Sequence, residues 1–68
     1  MLVNFTDKEY RKASMPYDEI RLIRQDHNSF AIVKCNDGEI LLTTTKYDDF
    51  AKAYQAALIK DIQMMNDV

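Results

Sequence analysis

Residues 29–45 read SFAIVKCNDGEILLTTT. Two apolar runs flank Asp37-Gly38, a dipeptide that suits a two-residue type I′ turn because that turn needs positive φ at both central positions. The turn pairs Cys35 with Ile40, Val33 with Leu42 and Ala31 with Thr44. Just upstream, Asp26-His27-Asn28-Ser29 marks a second hairpin. A two-residue loop at His27-Asn28 pairs Ile20 with Cys35, Leu22 with Val33 and Ile23 with Ile32. Cross-strand partners share a face. Both turns therefore put Ile20, Leu22, Ala31, Val33, Cys35, Ile40 and Leu42 on one face of a three-stranded antiparallel meander, with strands over about 18–25, 29–35 and 39–44. A slip of one residue in either hairpin exchanges the faces.

The other face then carries Arg21, Ile23, Gln25, Phe30, Ile32, Lys34, Leu41 and Thr43. Its centre is apolar and its rim is basic, through Arg21 and Lys34. Burying one such apolar side chain is worth about 1.5–3 kcal/mol, a sizeable part of a small domain's stability. The face calls for a cover. Residues 1–17 could supply it through Leu2, Val3, Phe5, Tyr10, Met15 or Tyr17. A second copy of the chain or another protein would also serve. An apolar centre with an aromatic and a basic rim is the anatomy of a protein-binding surface.

Upstream of the meander, Thr6-x-x-Glu9 has the form of a helix capping box, with Phe5 and Tyr10 placed as a hydrophobic staple. This predicts a short helix over 7–13, ended by Ser14 and Pro16. Downstream, Thr45 and Asp48 form a weaker capping pair, and Asp48 and Asp49 suit the positive end of a helix dipole. Tyr47, Ala51, Tyr54, Leu58, Ile62 and Met65 recur at helical spacing and make a core-facing stripe over a helix at 46–66. Phe50, Ala53, Ala57 and Met64 form a second row. Ile59 stands among polar residues as a candidate partner contact. Such a helix is about 30 Å long, whereas strands of this length reach about 20–23 Å. Ile62, Met64 and Met65 are thus expected to overhang the sheet. The expected fold class is α+β: a short N-terminal helix, a three-stranded antiparallel meander and a long C-terminal helix packed on one sheet face, all in a single domain.

The chain has 68 residues, 47% of them hydrophobic, and a formal net charge of −2. Its mixed charges argue against non-specific phosphate binding. One cysteine, Cys35, excludes an internal disulfide framework and suits a reducing, cytoplasmic compartment. No apolar run nears the roughly 18 residues that span a bilayer, and MLVNFTDKEY lacks the layout of a signal peptide. No catalytic constellation assembles. His27, the single histidine, falls in a turn without an orienting partner. Cys35 points toward the core as a small hydrophobe, at the far end of the strand from His27. One glycine rules out a phosphate loop, and metal-ligand spacing is absent. A non-enzymatic chain without cofactor or metal is expected.

The order helix–strand–strand–strand–helix resembles the double-stranded-RNA-binding domain over most of the chain. NSFAIVKCNDGEILLTTTKYDDFAKAYQAALIKDI (28–62) stands where that family has its last two strands and final helix. AKAYQAALIKDI is similar to its alanine-rich helix, and His27 lies in the loop that often carries a histidine there. The resemblance implies RNA contacts from lysines opening the last helix. This chain has Tyr47-Asp48-Asp49-Phe50-Ala51-Lys52 at that place, and its carboxylates repel phosphate. Lys8, Arg11, Lys12 and Lys52 are the cations left for such a role. Small phage-encoded inhibitors of host defence resemble the chain too, in combining a three-stranded sheet, flanking helices and an acidic pI. The expectation is a cytoplasmic protein-binding module, a homodimer or an accessory or inhibitor protein, with contacts at Arg21, Ile23, Phe30, Ile32, Lys34, Leu41 and Ile59. Nucleic-acid binding is the alternative, and no membrane is involved.

Overall fold

A computed structural model describes residues 1–66, with side chains described through Met64. The chain forms β1 (Leu2–Thr6), β2 (Lys12–Pro16), a 3-10 turn (Tyr17–Glu19), β3 (Ile20–Gln25), β4 (Phe30–Cys35), β5 (Ile40–Lys46) and α1 (Tyr47–Asn66). It is an α+β fold, but the expected N-terminal helix is absent. In place of a lone three-stranded meander there are two antiparallel sheets, β1-β2 and β3-β4-β5. The order no longer matches that of the double-stranded-RNA-binding domain.

The absence of that helix has a definite physical cause. The Asp7 carboxylate accepts the N–H groups of Glu9 at 2.8 Å and Arg11 at 3.0 Å. Tyr10 N–H donates to the Asp7 carbonyl at 3.0 Å. A tight turn of this kind uses the same side-chain-to-backbone chemistry as a helix start. The backbone at Tyr10 decides between them. It sits at φ 63°, which reverses the chain, and Leu2 to Thr6 then pair with Pro16 to Lys12. An isolated helix of seven residues is marginal in water, whereas this pairing buries Val3 and Met15. The Thr6 N–H that a capping box would give to Glu9 goes to Thr45 Oγ1 at 2.7 Å. Phe5 stacks obliquely on Phe50, with centroids 5.6 Å apart, and Tyr10 is exposed.

All three hairpins share one loop design. Between β3 and β4, Ser29 N–H bonds to the Asp26 carbonyl and Asp26 N–H to the Phe30 carbonyl. Between β4 and β5, Gly38 N–H bonds to the Cys35 carbonyl at 3.0 Å and Cys35 N–H to the Glu39 carbonyl at 2.8 Å. Each loop has three residues, the third in the left-handed region: Tyr10 at 63°, Ser29 at 68° and Gly38 at 90°. This is the next most common hairpin after the two-residue one. Asp37 lacks the positive φ that a type I′ turn requires, so the loop is one residue longer than expected.

That single residue moves the register. Val33 pairs with Leu41 and Ile32 with Leu42. Ile23 pairs with Val33 and Arg24 with Ile32. Because β4 keeps its own alternation, Ala31, Val33 and Cys35 still face inward and are buried. Its neighbours exchange faces: Leu41 and Ile23 pack against the core, while Ile40 is 60% exposed and Leu42 53%. A bulge between Ile20 and Leu22 restores Ile20 to its expected partner, Cys35, and to the core.

A second irregularity, between Phe30 and Ile32, joins the two sheets. There β5 runs two residues ahead of β4, since Ile32 pairs with Leu42 but Phe30 pairs with Lys46. The consecutive threonines within this step satisfy backbone groups across the junction. Thr43 Oγ1 donates to the Ala31 carbonyl at 2.7 Å, and Thr44 Oγ1 donates to the Asp7 carbonyl at 2.8 Å. An isolated bridge links Asp7 with Thr43.

α1 closes the core over the inner sheet face and β1. Its innermost residues are Phe50 and Ala57, from the second apolar row. Ala53 and Tyr54 pack beside them. Phe50, Val3 and Val33 are the largest fully buried side chains. Ile62 and Met64 are exposed near the far end of the helix, and the expectation for Met65 lies outside the described side chains.

The loop geometry has a direct test in equilibrium urea unfolding. Tyr10→Gly relieves a left-handed residue bearing a Cβ and is expected to stabilise the fold by roughly 0.5–1 kcal/mol. Gly38→Ala, where a new Cβ meets nothing within 4 Å, is expected to destabilise it by about 1 kcal/mol through backbone strain alone. Destabilisation by both changes would contradict the shared loop design.

Candidate functional site

The outer face of the β3-β4-β5 sheet is a grid of two rows. Leu22, Lys34 and Ile40 lie across one row, and Arg24, Ile32 and Leu42 across the next. Leu22, Ile40 and Leu42 are large exposed hydrophobics, and Ile32 is half-buried at the centre. A cleft of about 190 Å³ runs between Leu22, Arg24, Ile32, Lys34 and Ile40. Past the second row, β4's alternation sets Phe30 on the same face, with the Lys46 ammonium 4.7 Å from its ring centroid.

The anatomy expected of this face is present with a changed cast. Ile32 and Lys34 stand where expected, and Phe30 is half-buried beside Lys46. Ile23 and Leu41 do not belong to the face, because the one-residue register shift turns them to the core. Arg21 is the exposed residue inside the β3 bulge and has no partner in the β4 register. Leu22, Arg24, Ile40 and Leu42 replace them. The signal for Ile40 and Leu42 is the triplet Asn36-Asp37-Gly38, which fits a three-residue loop with glycine in the left-handed place as well as it fits a two-residue turn; Leu22 and Arg24 follow from the loop at His27-Asn28-Ser29, where no glycine marks the left-handed place.

Residues 1–17 do not supply the cover. Val3 and Met15 join Phe50 and Val33 in the inner core, and Phe5 and Tyr17 pack against it. Ile59 lines a separate groove of about 590 Å³ between β1 and α1, with Leu2, Ala53 and Ala56. The structure does not bring it together with Ile32 and Lys34.

The groups weighed for chemistry are dispersed. His27 is exposed in its loop, with Nε2 3.3 Å from Asn28 Nδ2. Cys35 lies at the other end of β4 and is buried. Burial, with Asp37, Glu39 and Glu19 nearby, pushes its thiol pKa up. It stays protonated at neutral pH, and a thiol is a weak nucleophile. Its side chain, with Met15 and Leu41, lines a cavity of about 270 Å³ whose rim includes Glu19, Asp37 and Glu39. Among the described residues, no group of three or more His, Cys, Asp or Glu is placed to hold a metal, and no helix is long and apolar enough to cross a membrane.

Asp61 is a tether. It accepts a hydrogen bond from the Tyr17 hydroxyl, linking the 3-10 turn to α1. Tyr17 also packs at a tilt on Tyr54, with centroids 6.2 Å apart. The bond to Asp61, with desolvation next in size, pushes the Tyr17 pKa up to about 12 from 10.0. Between those values the unfolded chain has released a proton that the folded chain keeps. The resulting stabilisation is fully present below pH 10 and is lost as pH rises through 12. Tyr17→Phe is expected to lower the urea midpoint at neutral pH and to flatten the fall in stability across that alkaline window. Equal slopes for the two proteins would contradict the tether. Comparison of the chain with models of protein families, with curated proteins and with solved structures found no significant match.

Proposed function

We propose that this chain is a non-catalytic protein-binding module that docks a partner on the outer face of its three-stranded sheet. One observation carries the reading. The sheet is apolar on both sides, and the hairpin and the helix are both spent on the inner side, leaving Leu22, Ile40 and Leu42 open to solvent. Contiguous apolar surface with a polar rim marks interaction sites on soluble proteins. Arg24 and Lys34 supply orientation, since charges at an interface set register and association rate more than raw affinity. The protonated, buried Cys35 and the isolated His27 add no chemistry that this role needs. An accessory or inhibitor protein in the cytoplasm fits such a surface.

Ile40→Asp and Leu42→Asp test the proposal against Leu2→Asp, an equally exposed control on the other side of the fold. All three changes lie at exposed positions, so melting temperatures are expected to stay within a few degrees of wild type. Cross-linked capture from the native host should lose its partner band with the two outer-face variants and keep it with the control. Retention of the same band by Ile40→Asp and Leu42→Asp would overturn the assignment of the face.

A further inference from the structure

We infer that the outer sheet face receives one acidic amphipathic helix of a partner protein rather than a second copy of this chain. This rests on the docking role proposed above and names its occupant. The first argument is charge. The six grid positions hold four aliphatic residues and two cations, Arg24 and Lys34. A third cation, Lys46, lies over Phe30 at the end of the face. The chain as a whole is net negative, at −2, so these cations are segregated. Among the described residues, the one ion pair within bonding distance is Arg11 with Glu9. Among those same residues, Arg24 and Lys34 have no carboxylate within ion-pair distance. The border past β5 is acidic on balance, with Asp7, Glu9 and Glu39 beside one lysine, Lys8, near Ile40 and Leu42. A complementary partner carries its carboxylates toward Arg24, Lys34 and Lys46 and keeps them away from the Ile40–Leu42 part of β5.

The second argument is size. Three strands about 4.8 Å apart and six residues of about 3.3 Å each make a face of about 14 by 20 Å. That is about 300 Å² in projection, a footprint that seats one helix and little more. A helix is about 10 Å across and rises 1.5 Å per residue, so one helix of roughly 13 residues covers the face. Its apolar stripe, at i, i+3, i+4 and i+7, meets Leu22, Ile32, Ile40 and Leu42. A second copy is disfavoured by charge as well. A two-fold axis running along β4 would set Lys34 against the same lysine of the other protomer, and like charges facing each other across an interface are costly.

The test uses the full chain and two fluorescein-labelled peptides of about 14 residues, long enough to cross the face as one helix. Both carry leucines at helical spacing; one has glutamates along one flank and the other has lysines there. Anisotropy titration should show the acidic peptide binding at least about tenfold more tightly, with the difference shrinking as salt is raised. The Arg24→Glu/Lys34→Glu variant should reverse the preference, with its thermal melt confirming that the fold is intact. Equal affinity for the two peptides, or a preference that survives charge reversal, would overturn the acidic partner and leave the docking face standing. Binding of neither peptide, together with a dimer in sedimentation velocity that Ile32→Asp dissociates, would overturn the inference in favour of self-association. Binding of neither peptide by a strict monomer would remove the inference and weaken the docking role with it.

Discussion

Three residues in the left-handed region, Tyr10, Ser29 and Gly38, govern the arrangement of this molecule. Each closes a three-residue hairpin loop, and each fixes the pairing register of the strands on either side. Register in a sheet is binary: moving by one residue sends every side chain to the opposite face. Those backbone conformations thus determine that Leu41 meets the core and Leu42 meets solvent. Packing depends on them in turn, because α1 needs an apolar surface to cover, and the inward set of Ile20, Ile23, Ala31, Val33 and Leu41 provides it. Aspartates reinforce all three loops. Asp7, Asp26 and Asp37 each accept at least one backbone N–H through the side chain.

The parts of this architecture differ in how plainly they are written in the chain. α1 is legible because twenty residues carry a sustained helical period and acids at the start. β4 is legible because its alternation holds whichever neighbour pairs with it. The strands beside β4 are not, since their orientation depends on loop length, and Asn36-Asp37-Gly38 satisfies the grammar of two loops. Thr6 to Arg11 resists reading for a related reason: a reverse turn and the first turn of a helix draw on the same side-chain acceptors, so local chemistry does not separate them. One contact that favours the turn is distant, between Thr6 and Thr45 across 39 positions. The candidate site inherits both situations. Ile32 and Lys34 sit on β4 and are readable, whereas Leu22, Arg24, Ile40 and Leu42 depend on register.

Few residues of this small domain reach full burial. Val3, Ala31, Val33 and Phe50 are completely enclosed, and each large one contributes about 1.5–3 kcal/mol. In so thin a structure, both sides of a central sheet are close to the surface. One side is sealed by the chain's own helix and hairpin. On the other, four aliphatic residues share the same two rows with Arg24 and Lys34, an arrangement that adds little to the stability of the isolated chain.

The packing of β1 against α1 and β5 also bears on how the molecule comes into being. Val3 and Phe50 share one core, and the Tyr17–Asp61 bond spans 44 positions. Pairings this distant form late, because closing the chain between them costs entropy before the contact rewards it. Alone, the β1-β2 hairpin has nothing to lean on, and Val3 and Met15 stay wet until α1 brings Phe50 and Ala57 over them.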